Sequence, residues 1–152
     1  MNFQFSITSE SPLSIDAALL LDELSVKLAG ITGNDGRSSF DFSDIEHPRS
    51  LFVVARNRNN EPVGCGALRP LSENVGEIKR MFAKQSGAGT EILKYLENRA
   101  VELDYQELWL ETRRCNGYAV NFYLRNGFRP VPNYDKYMTR PEAICLGKIL
   151  IK

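Results

Sequence analysis

A chain of 152 residues that is 43% apolar fits one compact domain over residues 1–152 with a single sizeable core. Nineteen Lys and Arg balance nineteen Asp and Glu, so no overall field draws the protein toward nucleic acid or an anionic membrane. No stretch approaches the roughly 18 apolar residues of a membrane span, and MNFQFSITSESPLS has no basic region followed by an apolar run, so a cytoplasmic protein is expected. Cys65, Cys115 and Cys145 form no CxxC pair, which argues against a disulfide framework and against a metal site.

In chain order, Leu13 to Ala29 places apolar residues at 13, 17, 20, 21, 24 and 28, close to helical spacing, with Ser11-Pro12 as its start and Gly30 as its stop. ITGNDGRSSFDFSDIEHPRS reads as a loop anchored by Phe40, Phe42 and Ile45, with a short helical turn near Asp44. Loops of that length in small domains are often functional. Three strands follow, LFVVARN, VGCGALRPL and VGEIKRMFA, joined by NRNNEP and SEN as an antiparallel meander. Glu91 to Leu103 carries Ile92, Leu93, Leu96 and Ala100 on one face of a helix. Gln106 to Thr112 alternates as a strand, Tyr118 to Asn126 reads as a short helix capped by Gly127, and the tail offers strand-like pieces around Tyr137 and over Ala143 to Leu150.

The strand ending near Ala83, the helix after it and the strand from Gln106 form a β-α-β crossover, which opens the helix N-terminus at the sheet edge. Gly87-Ala88-Gly89-Thr90 lies at that junction. Glycines leave no Cβ in the way, and the first amides of a helix favour an anion such as pyrophosphate. The same GxG is also an ordinary tight turn; it is neither a Walker A loop nor GxGxxG.

Read together, GEIKRMFA before the glycines, LWLET after the helix, and Asn116, Ala119, Phe122, Tyr123, Gly127 and Phe128 in N-x-x-A-x-x-FY-x-x-x-GF resemble the GNAT superfamily of acyl-CoA-dependent N-acetyltransferases. The resemblance covers Val53 to Leu150 well and the first helix loosely. It implies an α/β fold with a central, mostly antiparallel mixed sheet, splayed between its fourth and fifth strands, with about four helices packed on both faces. It also implies acetyl-CoA as cofactor, with Met81, Phe82 and Ala83 beside the pantetheine arm and Gln85, Ser86, Gly87, Ala88, Gly89 and Thr90 around the pyrophosphate. Lys84 stands where the family has Arg or Gln, and the loop is shorter than usual.

By the same resemblance Asn116 contacts CoA, a role that coexists with that of helix N-cap. Tyr123 sits near the thioester sulfur as proton donor, and Glu77 occupies the position of a general base. Packing is the alternative for Tyr123, and an ion pair with Lys79 or Arg80 is the alternative for Glu77. Glu111, at the end of LWLET, faces the same cleft as a second candidate. Arg37, Arg69, Arg113 and Arg114 are candidates to hold a carboxylate bidentately, and Asp35 or Asp41 to receive a cationic amine. The expected activity is acetyl transfer to a primary amine of a small, amino-acid-like or polyamine-like molecule by direct attack in a ternary complex. The alternatives are a non-catalytic acyl-CoA-binding module and a protein N-acetyltransferase. The partner expected is a small-molecule amine, without nucleic acid or membrane, and a homodimer is open.

Overall fold

The computed structural model describes residues 4–37 and 41–150; Phe40, read as a loop anchor, lies outside them. Along the described chain run β1 (Phe5–Ser9), α1 (Ile15–Thr32), β2 (Leu51–Asn57), β3 (Pro62–Pro70), β4 (Val75–Ala83), α2 (Ala88–Glu102), β5 (Glu107–Arg113), α3 (Gly117–Arg125), β6 (Arg129–Val131) and β7 (Ala143–Ile149). Two short 3₁₀ turns, Phe42–Ile45 and Asp135–Thr139, also lie among the described residues. The fold is therefore the expected mixed α/β arrangement, with three α-helices among the described residues rather than about four.

One seven-stranded sheet runs in the order β1-β2-β3-β4-β5-β7-β6. Every neighbouring pair is antiparallel except β4 and β5, which α2 joins as a crossover. That parallel pair holds only at Val75↔Glu107, Gly76↔Leu108 and Glu77↔Trp109. Beyond Glu77 the two strands part, and Ile78–Ala83 has a partner only in β3. This is the expected splay.

The period of two along a strand explains how both faces are covered. In β2, Leu51, Val53 and Ala55 pack with Ile92, Leu93 and Leu96 of α2, while Phe52 and Val54 pack with Ala17, Leu20 and Leu21 of α1. All three α2 residues are fully buried, each contributing about 1.5–3 kcal/mol. No helix among the described residues is long and apolar enough to cross a membrane.

Three boundaries differ from the sequence reading. Helix α1 passes through Gly30 and stops at Gly33, whose φ of 78° is left-handed and whose amide donates to Ala29 O at 3.0 Å. Its N-cap is Ser14, whose Oγ accepts the Ala17 amide at 3.3 Å. The piece around Tyr137 is a 3₁₀ turn, not a strand: Asn133 Nδ2 reaches the carbonyls of Tyr137, Arg140 and Ala143 at 3.1, 3.3 and 3.2 Å, folding the segment back with Tyr134 and Tyr137 buried.

Candidate active site

Strand β4 ends at a loop whose geometry follows from Gly87. Its φ of +90° is a conformation that only glycine adopts cheaply, and it serves as the N-cap of α2. The Ala88 amide turns back to Gln85 O at 3.1 Å, and the Ala88 side chain is fully buried in the core. Ala88 therefore presents neither its side chain nor its amide to the cleft. Among the described residues no acceptor takes the amides of Gly87, Gly89 or Thr90, so three donors point outward at the positive end of a helix. Gly89 has a different reason to be glycine: a Cβ there would lie 3.3 Å from Phe122 Cζ. Its lack of a side chain lets α3 close on the start of α2.

A cavity of about 610 Å³ opens in front of these amides, between the end of β4, α1 and α3. Met81, Phe82, Ala83, Gln85, Ser86, Gly87, Gly89, Thr90, Asn116 and Tyr123 line it; Ala88 does not. The sequence reading did not assign Lys27, Tyr118 or Arg125 to this wall. Lys27 lies 5.7 Å from the rings of both Phe82 and Tyr118. Lys84 joins the rim and pairs with Glu23 at 3.1 Å. A cation on the inward flank of an amphipathic helix is the signal that marks Lys27.

A smaller chamber of about 150 Å³ adjoins it, and the two share Leu24, Leu28, Met81, Asn116, Ala119 and Tyr123. Tyr123 stands at the junction, its ring held edge-on against Phe122 and Phe128 at 5.2 and 5.6 Å. Burial pushes its phenol up, so the hydroxyl keeps its proton at neutral pH, and no group among the described residues bonds that hydroxyl. Asn116 caps α3, its Oδ1 accepting the Ala119 amide at 3.3 Å.

Glu111 lines the chamber with Oε2 buried and without a hydrogen-bond partner; Arg113 Nε is 3.9 Å away. Burial raises its carboxyl above the ordinary range, against the pull of Arg113 and Lys79. Glu77 does not line the chamber. It is 1% exposed, with Arg69 Nε donating to Oε1 at 2.7 Å and the Tyr134 hydroxyl to Oε2 at 2.6 Å, while Lys79 Nζ lies 3.9 Å off. Both carboxylate oxygens are spent on a buried network. Arg69 is equally occupied, since its Nη1 donates to Asp44 at 2.8 Å.

Arg37 pairs with Asp22 at 3.1 Å and Asp35 at 3.8 Å, beside a separate cavity. Arg114 donates to Pro141 O at 3.1 Å on the surface. Of the predicted substrate contacts, Glu111 and Arg113 line the chamber and Arg37 and Arg69 do not. Lys79, Arg80, Tyr137 and Arg140 were missed. Two residues of β4, Arg80 and Met81, oppose Gly66 alone, because Cys65 pairs with Phe82 and Ala67 with Lys79. A regular strand would put Lys79 and Arg80 on opposite faces; the bulge brings both to the chamber, and nothing in the local sequence announces it.

The sequence of residues 22–128 matches the model of the acetyltransferase (GNAT) family. The chain belongs to the GNAT family. It is by that membership an acetyltransferase. The chain is 29% identical over 150 residues, 95% of its length and 97% of the relative's, to an IAA acetyltransferase of Azospirillum brasilense. Among solved GNAT-like structures, a candidate acyl-CoA N-acyltransferase of Klebsiella pneumoniae subsp. pneumoniae superposes with a TM-score of 0.82 at 26% identity, covering 97% of this chain and 98% of that one. An Elizabethkingia anophelis GNAT acetyltransferase solved with acetyl-CoA bound shares the fold with a TM-score of 0.71 at 20% identity, covering 98% and 100% of the two chains.

Proposed function

We propose that this GNAT protein, acting as one catalytic unit, transfers the acetyl group of acetyl-CoA to the primary amine of a small molecule, by direct attack with both substrates bound. One observation carries the reading: a cleft with free helix-start amides adjoins a small polar chamber, and Tyr123 lines both. The residues fit the donor. Outward amides at Gly87, Gly89 and Thr90, with Lys27, Lys84 and Arg125 on the rim, suit a polyphosphate. The open side of β4 after Glu77 offers backbone groups to the amides of a pantetheine arm. Bound acetyl-CoA supplies the activated acyl carbon and a thiolate leaving group.

Glu111, with its unpartnered oxygen in the chamber, is placed to take the proton that leaves the acceptor's ammonium, since only the neutral amine attacks. Tyr123 gives its phenolic proton to the sulfur as the C–S bond breaks, and regains a proton from the nitrogen as the C–N bond forms. Leu24, Leu28, Ile78 and Leu110 supply the apolar part of the chamber wall, which limits water around the reacting groups once both substrates fill it. The test is thiol release from acetyl-CoA over a panel of amines. Amine-dependent release that falls in Tyr123→Phe is expected; tight CoA binding without any such release would leave only an acyl-CoA-binding module.

A further inference from the structure

The neutral composition conceals a strongly charged chamber. Lys79, Arg80, Arg113 and Arg140 line it against the one carboxylate of Glu111. Two of these cations have partners: Lys79 donates to the Tyr137 hydroxyl at 3.2 Å near Glu77, and Arg113 Nη1 bonds the rim carboxylate of Glu142 at 2.8 Å. Arg80 is nine-tenths buried, yet its bonds go only to neutral oxygens: Ser25 Oγ at 2.7 Å, Asp35 O at 3.3 Å and Leu21 O at 3.4 Å. The Arg140 guanidinium forms no ion pair among the described residues.

Asp35 attracts Arg80 from a distance, but no carboxylate among the described residues bonds it; a buried cation without a bonded counter-ion is costly, and such a site suits an anion that arrives from outside. The backbone agrees. Arg80 has a φ of 53°, unfavourable for a side chain of its size, and it sits in the bulge, where it lines both the chamber and the neighbouring cavity of Leu21, Asp22 and Ser25. The chamber's volume of about 150 Å³ admits on the order of ten water-sized groups. An amine and an anion bound together inside it are therefore only a few atoms apart.

We propose that the acceptor is a small amino acid, with its carboxylate between Arg80 and Arg140 and its ammonium against the free oxygen of Glu111. This rests on the reading of the chamber as the acceptor site. A polyamine would set its second ammonium among four cations, whereas a zwitterion meets charges of the right sign at both ends.

Matched sets of amines test it: amino acids, their decarboxylated counterparts and their carboxamides, each offered with acetyl-CoA to the wild type, Arg140→Gln and Arg80→Gln. The acid is expected to exceed its partners in kcat/KM by at least about tenfold, and Arg140→Gln to shrink that preference about 30-fold, through KM rather than kcat. Arg140 is only half-buried, so Arg140→Gln remains informative if the buried Arg80→Gln fails to fold. Preference for decarboxylated amines or polyamines, or an equal loss for all amines in Arg140→Gln, overturns the proposal. If no amine is turned over, calorimetry on CoA-saturated protein with the same sets decides. Acid-selective binding lost in Arg140→Gln keeps the carboxylate site while the acetylation reading falls, and binding without acid selectivity sinks the carboxylate site.

Discussion

On the proposed reading Tyr123, at the junction of the cavities, and Glu111, inside the chamber, divide the chemistry between them, and each has its own signature. Tyr123 is fixed by ring packing alone, so Tyr123→Phe is expected to keep thermal stability and CoA affinity within about twofold. Its kcat is expected to fall by about 10²-fold, as loss of a proton donor does. An unchanged kcat would return Tyr123 to a packing role. With Glu111 as the proposed base, activity would need its ionised form, and burial raises the carboxyl, so the acid limb of the rate profile should lie above the ordinary 4.5. The folded state holds that proton more tightly than the unfolded chain, so this group favours folding below its unfolded value and that contribution is lost as pH rises through the raised one. Glu111→Gln is therefore expected to abolish the acid limb and to cost no stability at pH 7. Glu77→Gln offers the contrast: the limb stays, and about 2 kcal/mol of stability is lost as the bonds to Arg69 and Tyr134 weaken, read by urea unfolding. The reverse pattern would make Glu77 the base. Sequence alone left the two carboxylates open because their difference is one of pairing, and pairing is set by Arg69 across the β3–β4 hairpin and by Tyr134 from a distant part of the chain.

Among the elements, the turn from β4 into α2 is the most exposed to a single change. Gly87→Ala adds a Cβ 3.5 Å from Phe5 Cε2, an ordinary contact, so its cost is confined to the +90° φ, about 1–2 kcal/mol. Relaxing that angle rotates the amides that follow, and calorimetry is expected to show CoA affinity reduced at least about tenfold. Affinity unchanged in a folded Gly87→Ala protein would remove the amides from the cofactor site. This turn was legible in the sequence because glycines and a helix period meet there, as were β2 to β4, whose turn residues punctuate long apolar runs. The edge strands β1 and β6 escaped notice: β1 buries only Phe5, and β6 is three residues with Pro130 inside. The segment around Tyr137 misled in the other direction, since alternation of polar and aromatic residues does not reveal that Asn133 ties three carbonyls into a turn. The bulge at Arg80 was equally hidden, being a property of pairing between strands.

At the scale of the whole molecule, balanced charge coexists with a chamber of four cations, because the acids that offset them lie on the surface or pair elsewhere. Total charge thus spoke to partners in bulk and said nothing of the acceptor. On the proposed reading, CoA joins the two halves of the sheet, so its binding is a stability term for the entire fold. At 100 times its Kd the gain is about 2.7 kcal/mol, or roughly 5–10 °C in melting temperature for a chain of this size. Scanning calorimetry with and without CoA checks it, and backbone amides of Ile78–Ala83 are the ones expected to gain protection from hydrogen exchange. No shift at saturating CoA would remove the ligand from the sheet. The gap beside β4 has a cost as well. Half of a central strand keeps one side unpaired, covered over Ile78 to Arg80 and half-buried from Met81 on, and unpaired strand edges are where stray chains add. On the same reading, molecules synthesised while the coenzyme is scarce are expected to clump sooner, and light scattering with and without CoA checks it.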